Sequence, residues 1–208
     1  MFSGIIRATG HLAAVESTPA GRRLTIDPGG WGHTPGVGDS IAVSGCCLTV
    51  AIPPGPDGRL GFDAIPETLA KTTLGGLAVG DRVNLETSVT AATAMDGHVV
   101  QGHVEGVGEV VGLVTEGEYR VRVRAHPDLM PCIVPKGSVA IDGVSLTIAE
   151  VNPAEHWLEV ALIPTTLALT TLGGLKLGSR VNLETDVLAR TVVHVLRNYA
   201  GVLGRSHG

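Results

Sequence analysis

The chain has 208 residues, a formal net charge of −5 at pH 7 and a pI near 5.9. Its 29 glycines and 12 prolines, with only 3% aromatic residues, favour many short strands joined by turns over long helices. The sequence contains no run of Lys or Arg that indicates binding to a phosphate backbone, and no apolar run long enough to cross a bilayer. We therefore expect neither nucleic acid nor a membrane as a partner.

The cysteines are three in number, two of them adjacent: Cys46, Cys47 and Cys132. Such spacing provides neither a disulfide framework nor a CxxC metal pattern, and it is typical of a reducing compartment. The N-terminal residues lack the basic start and apolar centre of a signal peptide. These features predict a soluble, cytoplasmic protein.

One stretch occurs twice, as TTLGGLAVGDRVNLET at 72–87 and as TTLGGLKLGSRVNLET at 170–185. The offset of 98 residues also aligns 1–10 with 99–108, so the duplication reaches the N-terminus. Each half is long enough to bury its own core. We expect an N-terminal unit over 1–97, a C-terminal unit over 98–186, and a helix and tail over 187–208.

Both halves contain the patterns of short strands. Residues 21–26 and 118–124 alternate apolar with charged side chains, which is typical of strands with one face in water. Residues 65–74 and 163–172 predict short helices, with Pro near the start and Gly after the last turn. Each half gives about six strands and one helical turn, which predicts an all-β fold of two small closed barrels.

A strand pair precedes each predicted helix, at 38–50 and 136–148. In both pairs two apolar runs flank a polar residue followed by glycine, Ser44-Gly45 or Asp142-Gly143, which predicts a tight hairpin turn. After each turn, two small polar side chains share a strand face and are candidates to line a shallow pocket. They are Cys47 and Thr49 in the first half, and Ser145 and Thr147 in the second.

The C-terminal segment 186–199 has a different pattern. Leu188, Val192, Val195 and Tyr199 follow at helical spacings with polar residues between them, which predicts one amphipathic helix. The apolar seam can pack on a barrel or join copies of the chain, and the sequence favours neither alternative.

Positions that differ between the two halves show where their roles can diverge. Two pockets with similar walls and unlike polar groups could bind two copies of one ligand in unequal chemical roles. The alternative is ordinary drift on a duplicated core. The pairs that differ are Cys46/Val144, Cys47/Ser145, Ser44/Asp142, Ile5/His103, Asp63/Ala161 and Glu67/Thr165.

Cys47 and two histidines are the chemically versatile candidates. Cys47 is either a nucleophile or, as is more common, a small buried strand residue. His98 and His103 would face opposite ways on a straight strand, which disfavours a metal pair, although Asp96-Gly97 is a turn signal that could bend the chain. His98 is either a hydrogen-bonded loop residue or an acid/base, since its ordinary pKa lies near neutral pH.

The motifs MFSGII, GCCLTV, GHVVQGHVEG, GVSLTI and the duplicated TTLGG…RVNLE, in this order, closely resemble those of the riboflavin synthase (lumazine-binding α-chain) family over nearly the whole chain. The resemblance implies two six-stranded Greek-key barrels, each binding one 6,7-dimethyl-8-ribityllumazine. It also implies that the C-terminal helix holds a homotrimer. The active site would lie between the N-terminal barrel of one subunit and the C-terminal barrel of its neighbour.

The family reaction transfers a four-carbon unit between two lumazines and uses no cofactor or metal. Carried over from the family, proton handling falls to Cys47, His98, His103 and Ser145, with Phe2, Ser40 and Asp186 close to the reacting rings. Lys136 would reach the ligand of the adjacent subunit.

The resemblance also implies two sets of substrate-binding residues. The N-terminal pocket would use Gly4, Ile5, Ile6, Cys47, Leu48, Thr49, Asp63, Ala64, Ile65, Pro66, Glu67 and Thr68. The C-terminal pocket would use Gly102, His103, Val104, Ser145, Leu146, Thr147, Ile163, Pro164, Thr165, Thr166, Leu167 and Ala168.

Four positions depart from the family pattern. Thr165 stands where a glutamate that binds ribityl hydroxyls is common, Ser44 where Asn is usual, Asp96 where Gly is usual and Glu105 where Asp is usual. These departures affect the expected substrate preference more than the expected reaction, because the proton-handling candidates are all present. The alternatives to the enzyme are a non-catalytic lumazine- or flavin-binding protein of the antenna type and a paralogue acting on a modified pteridine.

Overall fold

Strand residues alternate between buried and exposed in both halves, and this alternation closes each set of six strands around an apolar core. The computed structural model describes residues 1–203 as two closed antiparallel barrels followed by a helix, which confirms the predicted fold. The first barrel contains β1 Ala8–Thr18, β2 Gly21–Asp27, β3 Ser40–Val43, β4 Cys46–Ile52, β5 Leu60–Ala64 and β6 Arg82–Thr87. The second contains β7 Gly106–Val114, β8 Tyr119–Arg124, β9 Ser138–Ile141, β10 Val144–Asn152, β11 Trp157–Leu162 and β12 Arg180–Thr185.

The two barrels share one topology. The strands run β1-β2-β5-β4-β3-β6 around the first barrel and β7-β8-β11-β10-β9-β12 around the second. Strand β2 pairs with β5, which is not the next strand in sequence, and this pairing is the Greek-key step. Bulges at Leu12/Ala14 and Val110/Gly112 fall at matching positions, so the 98-residue register holds even where the ladders are irregular.

The two hairpin turns form as predicted. Ser44 and Gly45 have φ of 44° and 79°, and Asp142 and Gly143 have φ of 46° and 80°. Two successive residues in the left-handed region are the signature of a type I′ turn, which suits the twist of a hairpin. The turns pack on each other, because a Cβ on Gly45 would lie 2.6 Å from the backbone nitrogen of Gly143. Glycine at this position permits the contact between the barrels.

The short helices end earlier than the sequence predicted. Helix α1 spans Pro66–Lys71 and helix α2 spans Pro164–Leu169, and each is followed by a separate 3-10 turn. Thr72 is extended, and its hydroxyl accepts from the backbone N–H of Leu74 at 3.2 Å, which begins the new turn. Gly75 therefore lies inside the 3-10 turn, and it is needed because a Cβ there would overlap the carbonyl of Leu69.

The asparagine of the duplicated motif joins the barrels. Asn84, buried in β6, donates to the carbonyl of Asp142 at 2.9 Å and accepts from the N–H of Thr171 at 2.8 Å. Asn182 in β12 makes the pseudo-symmetric pair of bonds, at 2.7 Å each, with Ser44 and Thr73. Each side-chain amide thus donates one hydrogen bond to the other barrel's half and accepts one from it, which fixes their relative position.

Helix α3 spans Val187–Leu203, and residues 204–208 of the predicted tail lie outside the described residues. Asp186 caps it by accepting from the N–H of Leu188 at 2.8 Å. On one face, Arg190 pairs with Glu105 at 2.7 Å and so ties the helix to the second barrel. No helix in the part of the chain that the structure describes is long and apolar enough to span a membrane.

The predicted seam of α3 faces away from the barrels. Leu188 is 72% exposed, Val192 57% and Tyr199 52%, whereas Val195 is half-buried. Packing of this seam on a barrel, one of the two alternatives left open by the sequence, is therefore wrong for the described chain. Self-association of the chain through this seam is the alternative that remains a prediction.

Burial at the inter-barrel contact raises the pKa of Asp142 to about 7, from 3.8. Its carboxylate accepts from the N–H of Asn182 at 2.7 Å. Ser44 holds the equivalent position in the first barrel, where its hydroxyl accepts from the N–H of Asn84 at 3.3 Å. The second barrel therefore carries an ionisable group where the first has a neutral one.

Asp142→Asn will stabilise the protein at pH 8, and the gain will shrink as the pH falls toward 4. A carboxyl whose folded pKa exceeds its unfolded value binds more protons when folded, so the free energy of unfolding declines as pH rises between those two values. We expect a gain of roughly 2–4 kcal/mol at pH 8. Urea unfolding at several pH values measures it, with exposed Asp128→Asn as control; a pH-independent difference would contradict the assignment.

Candidate functional site

Two cavities lie beside the residues that follow the hairpin turns. The first cavity has a volume of about 260 Å³ and the second about 180 Å³. Their linings correspond at every position in the 98-residue register, so the duplication has produced two versions of one site. The first cavity is lined by Cys46, Cys47, Glu67, Thr68, Lys71, Thr72, Gly102, His103 and Val104. The second is lined by Val144, Ser145, Thr165, Thr166, Leu169, Thr170, Gly4, Ile5 and Ile6.

The segment that precedes each barrel contributes to the site of the other barrel. Cys47 donates its backbone N–H to the carbonyl of Gly102, and Ser145 donates to the carbonyl of Gly4, both at 2.8 Å. The predicted grouping, with 4–6 beside Cys47 and 102–104 beside Ser145, is therefore wrong. The segments cross because they leave their own barrels ahead of the first strand and meet midway, where Phe2 bridges Val100.

Buried glutamates of the duplicated motif hold the crossing segments. Glu86 accepts from the N–H and hydroxyl of Ser3 at 2.7 and 2.8 Å and from the N–H of Gly4 at 3.0 Å. Glu184 accepts from three successive N–H groups, the first of them Gln101, at 2.6 to 2.9 Å. Burial raises the pKa of both carboxyls, and the donated hydrogen bonds oppose that rise.

Glycines allow the crossing segments to touch the hairpins. Gly4 and Gly102 have φ of 76° and 78°. A Cβ on Gly4 would lie 2.5 Å from the Cβ of Ser145, and a Cβ on Gly102 would lie 2.6 Å from the Cβ of Cys47. Both the backbone conformation and the space therefore require glycine.

His98 and Ser145 form a hydrogen-bonded pair beside the second cavity. The His98 Nδ1 lies 2.7 Å from the Ser145 hydroxyl oxygen, and the His98 N–H donates to the carbonyl of Ser3 at 3.2 Å. Burial lowers the pKa of His98, and the nearby charge of Asp186 opposes this in part. A neutral imidazole bonded to a hydroxyl at the cavity wall is suited to proton transfer.

The two histidines serve different cavities. His103 is exposed and lines the first cavity with Cys47, whereas His98 bonds to Ser145 at the second. The left-handed turn at Gly102, between them, replaces the straight strand on which the sequence argument placed them. The Nε2 of His98 is buried and, within the described residues, has no hydrogen-bond partner. Such an atom is costly unless a ligand or water meets it.

The adjacent cysteines have separate roles. Cys46 packs in the core of the first barrel, and its burial raises the pKa of its thiol to about 12. Cys47 is only half-buried and lines the first cavity. The interpretation of Cys47 as a small core residue is therefore wrong, and Cys46 is the core residue.

Several predicted site residues lie outside the two cavities. The side chains of Leu48, Leu146 and Ala64 point into the cores, which leaves only their backbone groups for a ligand. Asp63 is turned outward and binds Arg23 through two hydrogen bonds, at 2.8 and 2.9 Å. Contact of these residues with a ligand remains a prediction.

The remaining predicted residues lie around the cavities or on neighbouring faces. Phe2 is fully buried between the barrels, Asp186 caps α3, and Ser40 pairs with Thr49 across the β3–β4 ladder. Lys136 is exposed on a left-handed turn, free to meet another molecule. Thr147 is exposed on β10, and the starts of the short helices expose Ile65, Pro66 and Ile163. A separate groove beside Tyr119 is lined by Pro164, Leu167 and Ala168.

Lys71 and Leu169 line the cavities but were missed as site residues. They occupy corresponding positions and form one of the few mismatches between the similar stretches 65–87 and 163–185. The two motif glutamates were also missed, because an acidic residue in a polar-rich strand end gives no signal of burial.

Comparison with known proteins places the chain among lumazine-binding proteins. The lumazine binding domain family matches residues 3–88 and again 101–186. Riboflavin synthase of Mycobacterium tuberculosis is 42% identical over 95% of this chain and 99% of its own length. Riboflavin synthases of Chlamydia pneumoniae and Escherichia coli K12 are each 39% identical, covering 99% and 93% of this chain and 100% and 90% of their own.

Solved structures with the same fold contain bound ligands. The crystal structure of LumP complexed with riboflavin superposes with a TM-score of 0.79 and 29% identity, covering 89% of this chain and 99% of that one. The complex of LumP with 6,7-dimethyl-8-(1'-D-ribityl) lumazine gives 0.75 and 27% over the same shares.

Gly4→Ala will impair ligand binding at the second cavity, and Gly102→Ala at the first, because each added methyl overlaps the opposite hairpin. Each will also destabilise the fold by about 2 kcal/mol or more. Gly30→Ala is the matched control, since Gly30 has φ of 80° but nothing within 4 Å of its Cβ position. Thermal unfolding and ligand titration measure the effects; equal costs in all three variants would contradict the close approach.

Proposed function

The chain belongs to the riboflavin synthase family of lumazine-binding proteins, and from that premise we propose that it catalyses the dismutation of two 6,7-dimethyl-8-ribityllumazine molecules. One lumazine gives up a four-carbon unit and leaves as 5-amino-6-ribitylaminouracil. The other accepts it and becomes riboflavin. The observation that carries the proposal is the pair of cavities with matched walls and unlike polar groups.

Two related cavities suit a reaction between two copies of one compound. Holding both rings in fixed orientation converts a two-molecule encounter into a reaction within one complex, which supplies a large part of the rate. The unlike polar groups then assign unequal roles to chemically identical ligands. Backbone groups beside the cavities orient the rings, as a few polar groups do in other mostly apolar sites.

Proton transfer falls to the polar groups at the cavity walls. The reaction needs a proton removed from the acidic C7 methyl group of one lumazine and protons delivered as the second ring forms. Neutral His98 accepts a proton directly or through the Ser145 hydroxyl, to which it lies 2.7 Å away. In the first cavity, Cys47 and His103 offer a thiol and an imidazole. We propose no cofactor or metal.

The two cavities of one chain share no lining residue, which supports a site completed by a second copy of the chain. We propose a homotrimer held by the exposed seam of α3, with each active site formed by the first cavity of one subunit and the second cavity of its neighbour. The exposed Lys136 then reaches the ligand in the neighbouring first cavity. The three free thiols suit a cytoplasmic location.

Incubation of the purified chain with 6,7-dimethyl-8-ribityllumazine alone will yield riboflavin, followed by its absorbance. His98→Ala and Ser145→Ala will each lower kcat by about 100-fold or more with lesser effects on lumazine binding. Because the pKa of His98 is lowered, the rate will hold to a pH below the ordinary histidine range. His33→Ala, on an exposed loop, is the control. Tight binding without riboflavin would favour the antenna-type alternative instead.

Charged substitutions in the α3 seam, Leu188→Glu with Val192→Glu, will convert the trimer to monomers that bind lumazine but have little activity. The seam side chains are exposed in the single chain, so their replacement leaves the barrels intact. Thr191→Glu, on the same helix but outside the seam, will leave the trimer unchanged. Light scattering and the riboflavin assay measure both properties; a fully active monomer would contradict a site shared between subunits.

A further inference from the structure

One arginine of helix α3 contacts both ends of a segment that lines the first cavity. The Arg190 guanidinium donates to the side-chain oxygen of Gln101 and pairs with Glu105 Oε1 at 2.7 Å. Between these two partners lie 102–104, the residues that the second half contributes to the lining of the first cavity. A planar guanidinium presents several donors in a fixed geometry, so one side chain meets both acceptors at once. The position of this cavity wall is therefore tied to α3.

The two partners of Arg190 are also bonded to the second barrel. The N–H of Gln101 donates to Glu184 at 2.6 Å, and Glu105 accepts from the N–H and the hydroxyl of Thr185 at 2.7 and 2.8 Å. Without Arg190, the carboxylate of Glu105 would still have Thr185 as a donor. Replacement of Arg190 therefore loosens the segment without leaving this carboxylate unpaired.

Helix α3 makes few contacts with the barrel in the single chain. Over 187–200 no residue is buried, and Arg190 makes all the hydrogen bonds and ion pairs that join a helix side chain to another element of the described chain. The seam that includes Leu188 and Val192 is exposed. A helix with so little burial has low local stability, and packing of its seam against another copy supplies the missing contacts.

The corresponding segment of the first half is held without a helix. Ser3 stands at the position of Gln101, and its hydroxyl donates to Glu86 at 2.8 Å. The buried Glu86 also accepts from two backbone N–H groups of this segment. Turns and bends, rather than a helix, follow the first barrel. The wall that 4–6 form in the second cavity therefore has no contact of the Arg190 kind.

We propose, resting on the function and the trimer proposed above, that Arg190 is a positioning residue that couples the first cavity to assembly of the chain. Packing of the α3 seam against other copies holds Arg190 in place, and Arg190 holds 101–105 in the conformation that receives a ligand. The second cavity lacks this dependence. Such coupling is reciprocal, so a ligand in the first cavity also strengthens the trimer.

Hydrogen exchange at 101–103 measures the coupling, because these three N–H groups donate to Glu184 and exchange when those bonds open. In Arg190→Met they will exchange about tenfold faster than in the wild-type protein, since a hydrogen bond to a charged group is lost. The N–H groups of Ser3 and Gly4, which donate to the equivalent glutamate, will exchange as before. Equal exchange at 101–103 in the variant and the wild type would overturn the proposal.

Two further arginine variants serve as controls. Arg190→Lys keeps a charge for Glu105, but its single ammonium replaces only part of the guanidinium contacts, so it will restore part of the protection. Arg197→Met removes an arginine from the same helix and will leave exchange at 101–103 unchanged. Equal loss of protection in Arg197→Met and Arg190→Met would show a general effect of helix charge and would contradict the assignment to Arg190.

A double-mutant cycle separates coupling to assembly from a purely local contact. The monomeric seam variant, Leu188→Glu with Val192→Glu, will also exchange faster at 101–103. Adding Arg190→Met to it will produce little further change, because both substitutions interrupt the same chain of contacts. Additive effects, or a seam variant with wild-type protection, would overturn the link to assembly.

Riboflavin formation separates this inference from the catalytic proposal. Arg190→Met leaves the seam, His98 and Ser145 in place, so it will remain a trimer and lose activity chiefly through a higher KM, whereas His98→Ala acts on kcat. Exchange that changes as expected in a chain that forms no riboflavin supports the coupling and removes the catalytic function. Riboflavin formation with exchange and KM unchanged in Arg190→Met removes the coupling alone.

Discussion

Buried polar groups within β6 and β12 are the constraint on which the rest of the structure depends. Asn84 and Asn182 each place a full amide where water is excluded, and Glu86 and Glu184 do the same with a carboxylate. Such groups are tolerated only when their hydrogen bonds are made. The asparagines find their partners on the opposite barrel, and the glutamates on the segments that lead toward it. In the native structure, each barrel therefore supplies hydrogen-bond partners for buried polar groups of the other.

The crossed segments explain why the cavities are unlike. Because 102–104 cross to the first barrel, His103 joins Cys47 there; because 4–6 cross to the second, Ile5 joins Ser145. The exchange therefore places ionisable groups from both halves of the sequence in the first cavity. The hydrogen-bonded pair of His98 and Ser145 lies beside the second cavity, whose lining carries no charged side chain. The chemical difference between the cavities follows from the crossing together with a few substitutions, without any change of fold.

Local features of the fold were predictable, whereas the grouping of the site was not. Strand alternation and the Ser44-Gly45 and Asp142-Gly143 turns depend on neighbouring residues, and the structure confirms them. The crossing depends on contacts between residues far apart in sequence. The 98-residue offset shows which positions of the two halves correspond, but it does not show which segment packs on which barrel. The predicted end of the first short helix was wrong for a related reason. The Thr72 hydroxyl begins a new turn three residues before the glycine that indicated the helix stop. The exposure of the α3 seam depended on which face of the helix Arg190 holds against the barrel.

The asymmetry of the cavities and the exposed seam of α3 point to the same requirement. Holding two identical molecules in fixed orientation turns their encounter into a reaction within one complex, and different surroundings let them take unequal roles. The duplication supplies the different surroundings within one chain, but the two cavities have separate linings. We propose that a second copy faces them toward each other, with contact through the apolar seam of the helix that Arg190 ties to the second barrel. The scaffold motif RVNLE contributes no side chain to either cavity lining, yet its buried glutamates hold the crossing segments and so determine what each cavity contains.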